Sequence, residues 1–95
     1  MGIKETFKAL SDPVRREILE MLKGGSMSAG DIAAHLDMSQ ATVSYHLSQL
    51  KKADLVFESK KKNFVFYQLN ASVFEEIMLW AAGFMGGKEN EEKAE

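Results

Sequence analysis

The spacing of apolar residues changes once along this chain, near residue 55, and that change limits the folds available to it. Before it, apolar side chains recur every three or four residues, the spacing of one face of an α-helix. After it, residues 55–59 and 63–69 are rich in β-branched and aromatic side chains, which is typical of β-strands. Helical spacing returns from residue 73. The sequence therefore predicts helices, then a β-hairpin, then a last helix.

Residues that are favourable at helix N-termini divide the helical part into separate segments. Asp12, Ser28 and Ser39 are placed to cap the second, third and fourth helices. Asn70 or Ser72 can cap the last helix. The five predicted helices cover about residues 3–10, 13–23, 29–36, 39–52 and 73–85.

The third and fourth predicted helices form a helix-turn-helix, because a short helix, a turn of a few residues and a longer helix follow one another. A hairpin directly after the longer helix is placed as a wing. We therefore predict a mainly α protein with a small β-hairpin, a winged helix-turn-helix in the order helix, helix, helix, helix, strand, strand, helix. This domain covers residues 1–87, and the charged segment 88–95 is predicted to be a disordered tail.

The fourth predicted helix, residues 39–52, has an unusual outer side. Val43, Leu47 and Leu50 form its apolar stripe. The opposite side carries small hydroxyls, amides and a tyrosine, although Ser and Thr lower helix propensity and Glu and Lys would raise it. The major groove of B-DNA admits one α-helix, and short hydroxyls and amides reach base edges there. We therefore expect this helix to bind double-stranded DNA.

The distribution of charge agrees with DNA binding, although the formal net charge is −2. Residues 39–63 hold five lysines against Asp54 and Glu58, a local charge of +3, and local charge governs attraction to phosphate. Tyr45 is the first candidate for sequence specificity, and the lysines are expected to contact phosphates. The candidate DNA-binding residues are Ser39, Gln40, Thr42, Ser44, Tyr45, His46, Gln49, Lys51, Lys52, Lys60, Lys61 and Lys62.

Several of these features have a second interpretation. His46 is either a DNA contact or a partly buried histidine that bridges to the backbone. Arg15 and Arg16 either reach DNA or pair with nearby acids such as Glu17 and Glu20. The fourth helix itself could simply end a small bundle, with its polar side facing water.

The chemistry of the chain excludes several classes of protein. It has no cysteine, so it has no disulfide and no thiolate metal ligand. Ser44 and His46 cannot form part of a local hydrolytic triad with Asp54, because residues two apart on a helix point away from each other. No oxyanion-hole motif, glycine-rich phosphate loop or paired-carboxylate pocket is present, so we predict no catalytic residue and no enzyme. No apolar run could span a bilayer, and we expect a cytoplasmic protein without membrane insertion.

Three stretches, residues 7–19, 27–36 and 39–56, resemble the ArsR/SmtB family of winged-helix repressors. Among its subgroups, the chain is most similar to the small metal-free autorepressors of the SdpR type. The resemblance implies a homodimer on a palindromic operator, paired through its first and last helices. The expected dimer interface consists of Ile3, Phe7, Ile77, Trp80, Ala81, Phe84 and Met85.

Two features depart from the pattern of that family. Members that sense metal carry Cys-x-Cys in the third helix, or His and Asp at the ends of the last helix. Here the third helix has only His35 and the last has no histidine, so no metal and no other cofactor is expected. Family wings commonly have glycine near the tip, whereas this chain has Lys62 and Asn63, of which Asn tolerates the left-handed conformation.

Together these features predict a homodimeric transcriptional repressor that does not sense metal, with its own operon as one candidate target. A winged-helix module for protein interaction and a small-molecule-responsive sensor are the alternatives. A small-molecule inducer and a sequestering partner protein are the candidate release signals.

Overall fold

The computed structural model of the protein describes residues 2–86 and confirms the predicted order of helices. The second helix ends earlier than predicted, because the chain tightens into a 3-10 turn over Leu22–Gly24. The charged segment 88–95, predicted to be a disordered tail, lies outside the described residues, as do Met1 and Gly87. The helices are α1 (Ile3–Leu10), α2 (Pro13–Met21), α3 (Ala29–Leu36), α4 (Gln40–Lys52) and α5 (Ala71–Met85).

The residues predicted to cap helices do so. The Asp12 carboxylate accepts hydrogen bonds from two N–H groups in the first turn of α2. The Ser28 and Ser39 hydroxyls accept from the first turns of α3 and α4. At α5 the sequence left two candidates, and Asn70 is the cap, because its side chain accepts from the Ser72 N–H at 3.2 Å. These bonds satisfy N–H groups that a helix leaves without a partner at its start.

The sheet has three antiparallel strands in the order β1-β3-β2. The strands are β1 (Met27–Ser28), β2 (Val56–Lys61) and β3 (Phe64–Leu69). Strand β1 was not predicted, because two residues are too short to show a period and Ser28 has the composition of a helix cap. Strands β2 and β3 form the wing, and their register places Lys61 opposite Phe64 with a two-residue turn between them.

The left-handed residue of the wing turn is Lys62 and not Asn63. The sequence indicated that Asn63 tolerates a left-handed backbone, but Lys62 has it, with φ of 57°. A residue with a Cβ adopts this conformation at a small energetic cost. The paired residues of β2 and β3 on both sides of the turn hold Lys62 in it.

The hydrophobic core lies where α2, α3 and α4 meet the base of the wing. Its largest fully buried side chains include Ile18 of α2, Ile32 of α3 and the α4 pair Leu47 and Leu50. Leu55 closes the core below the wing. One side of α4 is therefore completely covered, and the helix cannot rotate without exposing leucines to water.

Arg15 of α2 is a buried cation that joins three helices. Only 8 % of its surface is exposed. Its Nε donates to the carbonyl oxygen of Ala9 at 2.8 Å and its Nη2 to that of Lys8 at 3.2 Å, at the end of α1. Its Nη1 lies 3.1 Å from Nδ1 of His46 in α4, which must accept because a guanidinium can only donate. All three guanidinium nitrogens thus have a partner inside the protein, and none of these partners is one of the acids that the sequence suggested.

We predict that Arg15→Ala destabilises the fold by about 3 kcal/mol, because it removes the donor to the buried Ala9 carbonyl oxygen and to Nδ1 of His46. Urea denaturation followed by circular dichroism measures this change in the free energy of unfolding. The matched control is Arg16→Ala, since the neighbouring guanidinium donates to the Leu10 carbonyl at 2.7 Å but on the surface. Its effect is expected to stay below about 1 kcal/mol. Equal destabilisation in the two variants would contradict this role of Arg15.

Candidate nucleic-acid interface

A sharp turn between α3 and α4 determines how α4 leaves the body of the protein. Asp37 has a left-handed backbone with φ of 55°, and the Met38 N–H donates to the Ala33 carbonyl at 3.2 Å. This hydrogen bond is the closing bond of a Schellman motif, here formed without glycine. Ser39 then caps α4 at once, so the turn needs only three residues. The predicted helix-turn-helix is therefore present, with α4 as its second helix.

The outer side of α4 is open to solvent along its length. The side chain of Tyr45 is 57 % exposed, although a tyrosine of this size could have joined the core. Gln40, Thr42 and Ser44 are also exposed, and Gln49 is half-buried. The predicted readout residues therefore lie on one accessible surface that carries no carboxylate between residues 39 and 52.

Two hydroxyl groups near the start of α4 are already oriented by the protein. The Ser39 hydroxyl accepts from the Thr42 N–H at 3.1 Å and donates to Thr42 Oγ1 at 2.9 Å. Since Thr42 Oγ1 is the acceptor in the second bond, its own proton points away from Ser39. Thr42 can therefore donate to a base or phosphate while it keeps its internal hydrogen bond.

His46 is the one predicted contact residue of α4 that does not lie on this surface. It is 8 % exposed, and Nδ1 is taken by Arg15. Its ring lies edge-on to that of Tyr45, with centroids 5.4 Å apart. Burial and the contact with Arg15 therefore favour the second interpretation of His46, a structural histidine that positions α4 and Tyr45. The sequence had left this second interpretation open, although it did not identify Arg15 as the partner.

The wing presents its lysines to solvent. Lys60, Lys61 and Lys62 are all exposed. Successive residues of a strand point to opposite faces, so Lys60 and Lys61 of β2 lie on different sides of the wing. The Lys61 ammonium lies 5.9 Å from the centre of the Phe66 ring on β3, within the range of a cation–π contact. The wing can therefore offer positive charge on both faces and at its tip.

The two lysines at the end of α4 have different surroundings. Lys51 forms an ion pair with Glu58 on β2, and the Tyr67 hydroxyl donates to the same carboxylate at 3.2 Å. The hydrogen bond from Lys51 is the main reason that the pKa of Glu58 lies below its ordinary value. Lys52 instead lines a cleft together with residues of α1 and has no ion-pair partner among residues 2–86. Lys51 thus braces the wing against α4, while Lys52 is available to a ligand.

Six of the seven residues predicted for dimerisation are exposed on α1 and α5, whereas Ile77 is half-buried and packs against the core of the single chain. The rings of Phe7 and Trp80 are 5.2 Å apart and those of Trp80 and Phe84 are 5.0 Å apart, so an aromatic row joins the two helices. Phe84 remains 72 % exposed. Met78 and Leu79 were not predicted for this surface, although they are about as exposed as Phe84. The sequence feature that could have indicated them is that α5 is apolar on nearly every side.

Residues 2–86 contain neither a metal site nor a membrane-spanning helix. No three His, Cys, Asp or Glu side chains of this part of the chain are grouped so that they could bind a metal ion. None of its helices combines the length and the apolar character that crossing a membrane requires.

Comparison with known proteins identifies the relatives of this chain. Residues 12–57 match the family model described as bacterial regulatory protein, arsR family. The chain is 42 % identical over 89 residues to the transcriptional repressor SdpR of Bacillus subtilis (strain 168), which covers 94 % of this chain and 99 % of that protein.

Solved structures give the same result. An ArsR-like transcriptional regulator from Rhodococcus sp. RHA1 superposes with a TM-score of 0.81 at 26 % identity, covering 97 % of this chain and 84 % of that one. The homodimeric winged helix-turn-helix DNA-binding domain of a possible ArsR-family regulator from Mycobacterium bovis superposes with a TM-score of 0.72 at 26 % identity. That match covers 85 % of this chain and 79 % of the other. The sequence and the fold together show that this chain belongs to the ArsR family of bacterial regulatory proteins.

Proposed function

We propose that the protein is a transcriptional repressor that binds double-stranded DNA as a homodimer, with α4 in the major groove and the wing beside it. The observation that carries this proposal is the outer side of α4, which is exposed, free of carboxylates and rich in hydroxyl and amide groups. Repression follows if the bound dimer excludes RNA polymerase, and the relative SdpR is named a transcriptional repressor.

The roles of the contact residues follow from their chemistry. Gln40 and Gln49 carry amides that can pair with adenine, and Thr42 and Ser44 carry hydroxyls that suit several bases. Tyr45 is the exposed aromatic side chain of α4 and is the main candidate for discrimination between sequences. The wing lysines and Lys52 would neutralise phosphates and position the helix without reading sequence.

Dimerisation is supported by the apolar surface of α1 and α5. A single chain exposes a contiguous aromatic row there, and surfaces of this kind mark interaction sites on soluble proteins. A second copy would cover the row through a two-fold axis, and the Mycobacterium bovis domain is described as homodimeric. Two α4 helices would then lie about one turn of DNA, roughly 34 Å, apart. We further propose that the protein acts in the cytoplasm and that a small molecule or a sequestering protein releases it.

Replacing Lys60, Lys61 and Lys62 together by alanine is expected to weaken binding to every DNA sequence alike. The plot of log affinity against log salt has a negative slope, and removing one lysine–phosphate pair reduces the magnitude of that slope by about 0.9. Gel-shift titrations over a series of salt concentrations measure this slope. The control is Lys23→Ala, which removes a lysine paired with Glu20 at 2.9 Å after α2 and should leave the slope unchanged. An unaltered slope in the wing variant would contradict its proposed role in phosphate binding.

Tyr45→Ala is expected to reduce discrimination between the operator and unrelated DNA by about 1–3 kcal/mol, because the variant cannot reach the base that Tyr45 would bind. Competition binding with both duplexes measures the ratio of affinities. Tyr45→Phe keeps the ring and separates the contribution of the hydroxyl. An equal decrease in affinity for operator and unrelated DNA would show that Tyr45 does not read sequence.

Phe84→Asp is expected to convert the dimer to a monomer, because it buries a carboxylate in the proposed apolar interface. The single chain should tolerate the change, since Phe84 is 72 % exposed there. The matched control is Phe64→Asp in the wing, where the ring is 60 % exposed and lies outside the proposed interface. Sedimentation velocity distinguishes the two species. A Phe84→Asp protein that remains dimeric would exclude this interface.

A further inference from the structure

A basic cleft lies between α1 and the end of α4, and the residues that α1 contributes to it are outside the set of DNA-binding residues predicted from the sequence. It has a volume of about 250 Å³, and α1 contributes Lys4, Glu5 and Lys8 to its lining. From α4 come Gln49 and Lys52. Lys4 and Lys8 are four residues apart, so they share one side of α1. Three lysines from two helices therefore line one cleft.

These lysines are not neutralised by the protein. The ion pairs formed within residues 2–86 are Lys23 with Glu20 and Lys51 with Glu58, and neither involves the cleft. Glu5 is the acid in the lining, and its carboxylate folds back over Gly2 at the start of α1. Like charges repel each other, so an anion bound in the cleft would reduce the repulsion between the lysines that line it.

The cleft continues the proposed DNA-reading side of α4. Tyr45, Gln49 and Lys52 follow one another at intervals of four and three residues, which places them in one row along the helix. Gln49 and Lys52, at the end of that row, are the α4 residues that line the cleft. A duplex lying along α4 would therefore bring its sugar–phosphate backbone to the opening.

We propose that this cleft binds the DNA backbone, with Lys4 and Lys8 of α1 joining Lys52 around phosphate groups at the edge of the major groove. The inference rests on the proposed function and extends the DNA interface to a helix that was assigned only to dimerisation. DNA fits the cleft better than an acidic protein segment does, because duplex DNA presents one charge per ~1.7 Å of its axis in direct continuity with the groove that α4 would occupy. Since Lys51 is paired with Glu58, the unpaired positive charge at this end of α4 comes from Lys52 together with the two α1 lysines.

The test is a salt titration of the full chain on a short duplex of arbitrary sequence, since phosphate binding does not depend on sequence. Lys4→Ala and Lys8→Ala are measured singly and together. Each substitution is expected to reduce the magnitude of the slope of log affinity against log salt by about 0.9, the effect of removing one lysine–phosphate pair. The double Lys→Arg variant keeps the charges and should retain the slope of the unmodified protein. Replacing the Lys8 side chain leaves the bonds to its carbonyl oxygen in place.

Controls separate this inference from the proposed function. Lys23→Ala is the matched single-charge control for Lys8→Ala and should not change the slope. If the unmodified protein and the wing variant show salt-dependent binding while the α1 variants keep the full slope, the cleft proposal is overturned and an acidic protein becomes the better candidate for the cleft. If the double Lys→Arg variant reduces the magnitude of the slope as much as the double alanine variant does, the charge at these positions does not bind phosphate. Absence of salt-dependent binding by the unmodified protein overturns both proposals.

Discussion

The candidate DNA-binding surface depends on how the protein fixes the opposite, buried side of α4. Leu47 and Leu50 are fully buried against α2, α3 and the base of the wing, so the other side of the helix has to face solvent. Arg15 adds a polar constraint, because it binds the last carbonyls of α1 and the ring of His46 simultaneously. Rotation of α4 would break this buried hydrogen-bond cluster as well as the apolar packing. The exposed position of Tyr45 is therefore a consequence of what is fixed beneath it.

The order of the elements could be predicted from the sequence because it follows from local rules. Apolar spacing located the helices, and Asp12, Ser28 and Ser39 marked helix starts by chemistry that acts within three residues. Strand β1 could not be predicted, because its two residues pair with β3, nearly 40 positions later in the chain. The sequence indicated only that Asn63 tolerates a left-handed backbone in the wing turn, and it could not show that Lys62 adopts it, because the register of β2 and β3 decides this.

The candidate site could be predicted less completely than the fold, because long-range contacts determine the function of each polar side chain. His46 follows Tyr45 directly, yet it is buried by a guanidinium 31 residues earlier in the chain. Lys51 and Lys52 are adjacent lysines of the same helix, but Lys51 pairs with Glu58 of the wing and Lys52 lines the cleft beside α1. The prediction that the protein is not an enzyme is confirmed, since the chain belongs to a family of regulatory proteins.

The central claim is that two copies of α4, related by a two-fold axis, read DNA in successive major grooves. The most direct measurement is a nuclease footprint of the purified protein on the DNA upstream of its own gene. The account predicts protection of an inverted repeat whose half-sites have centres about 10 base pairs, or one helical turn, apart. Protection without two-fold symmetry, or no protection at protein concentrations that retard the same DNA in gels, would contradict it.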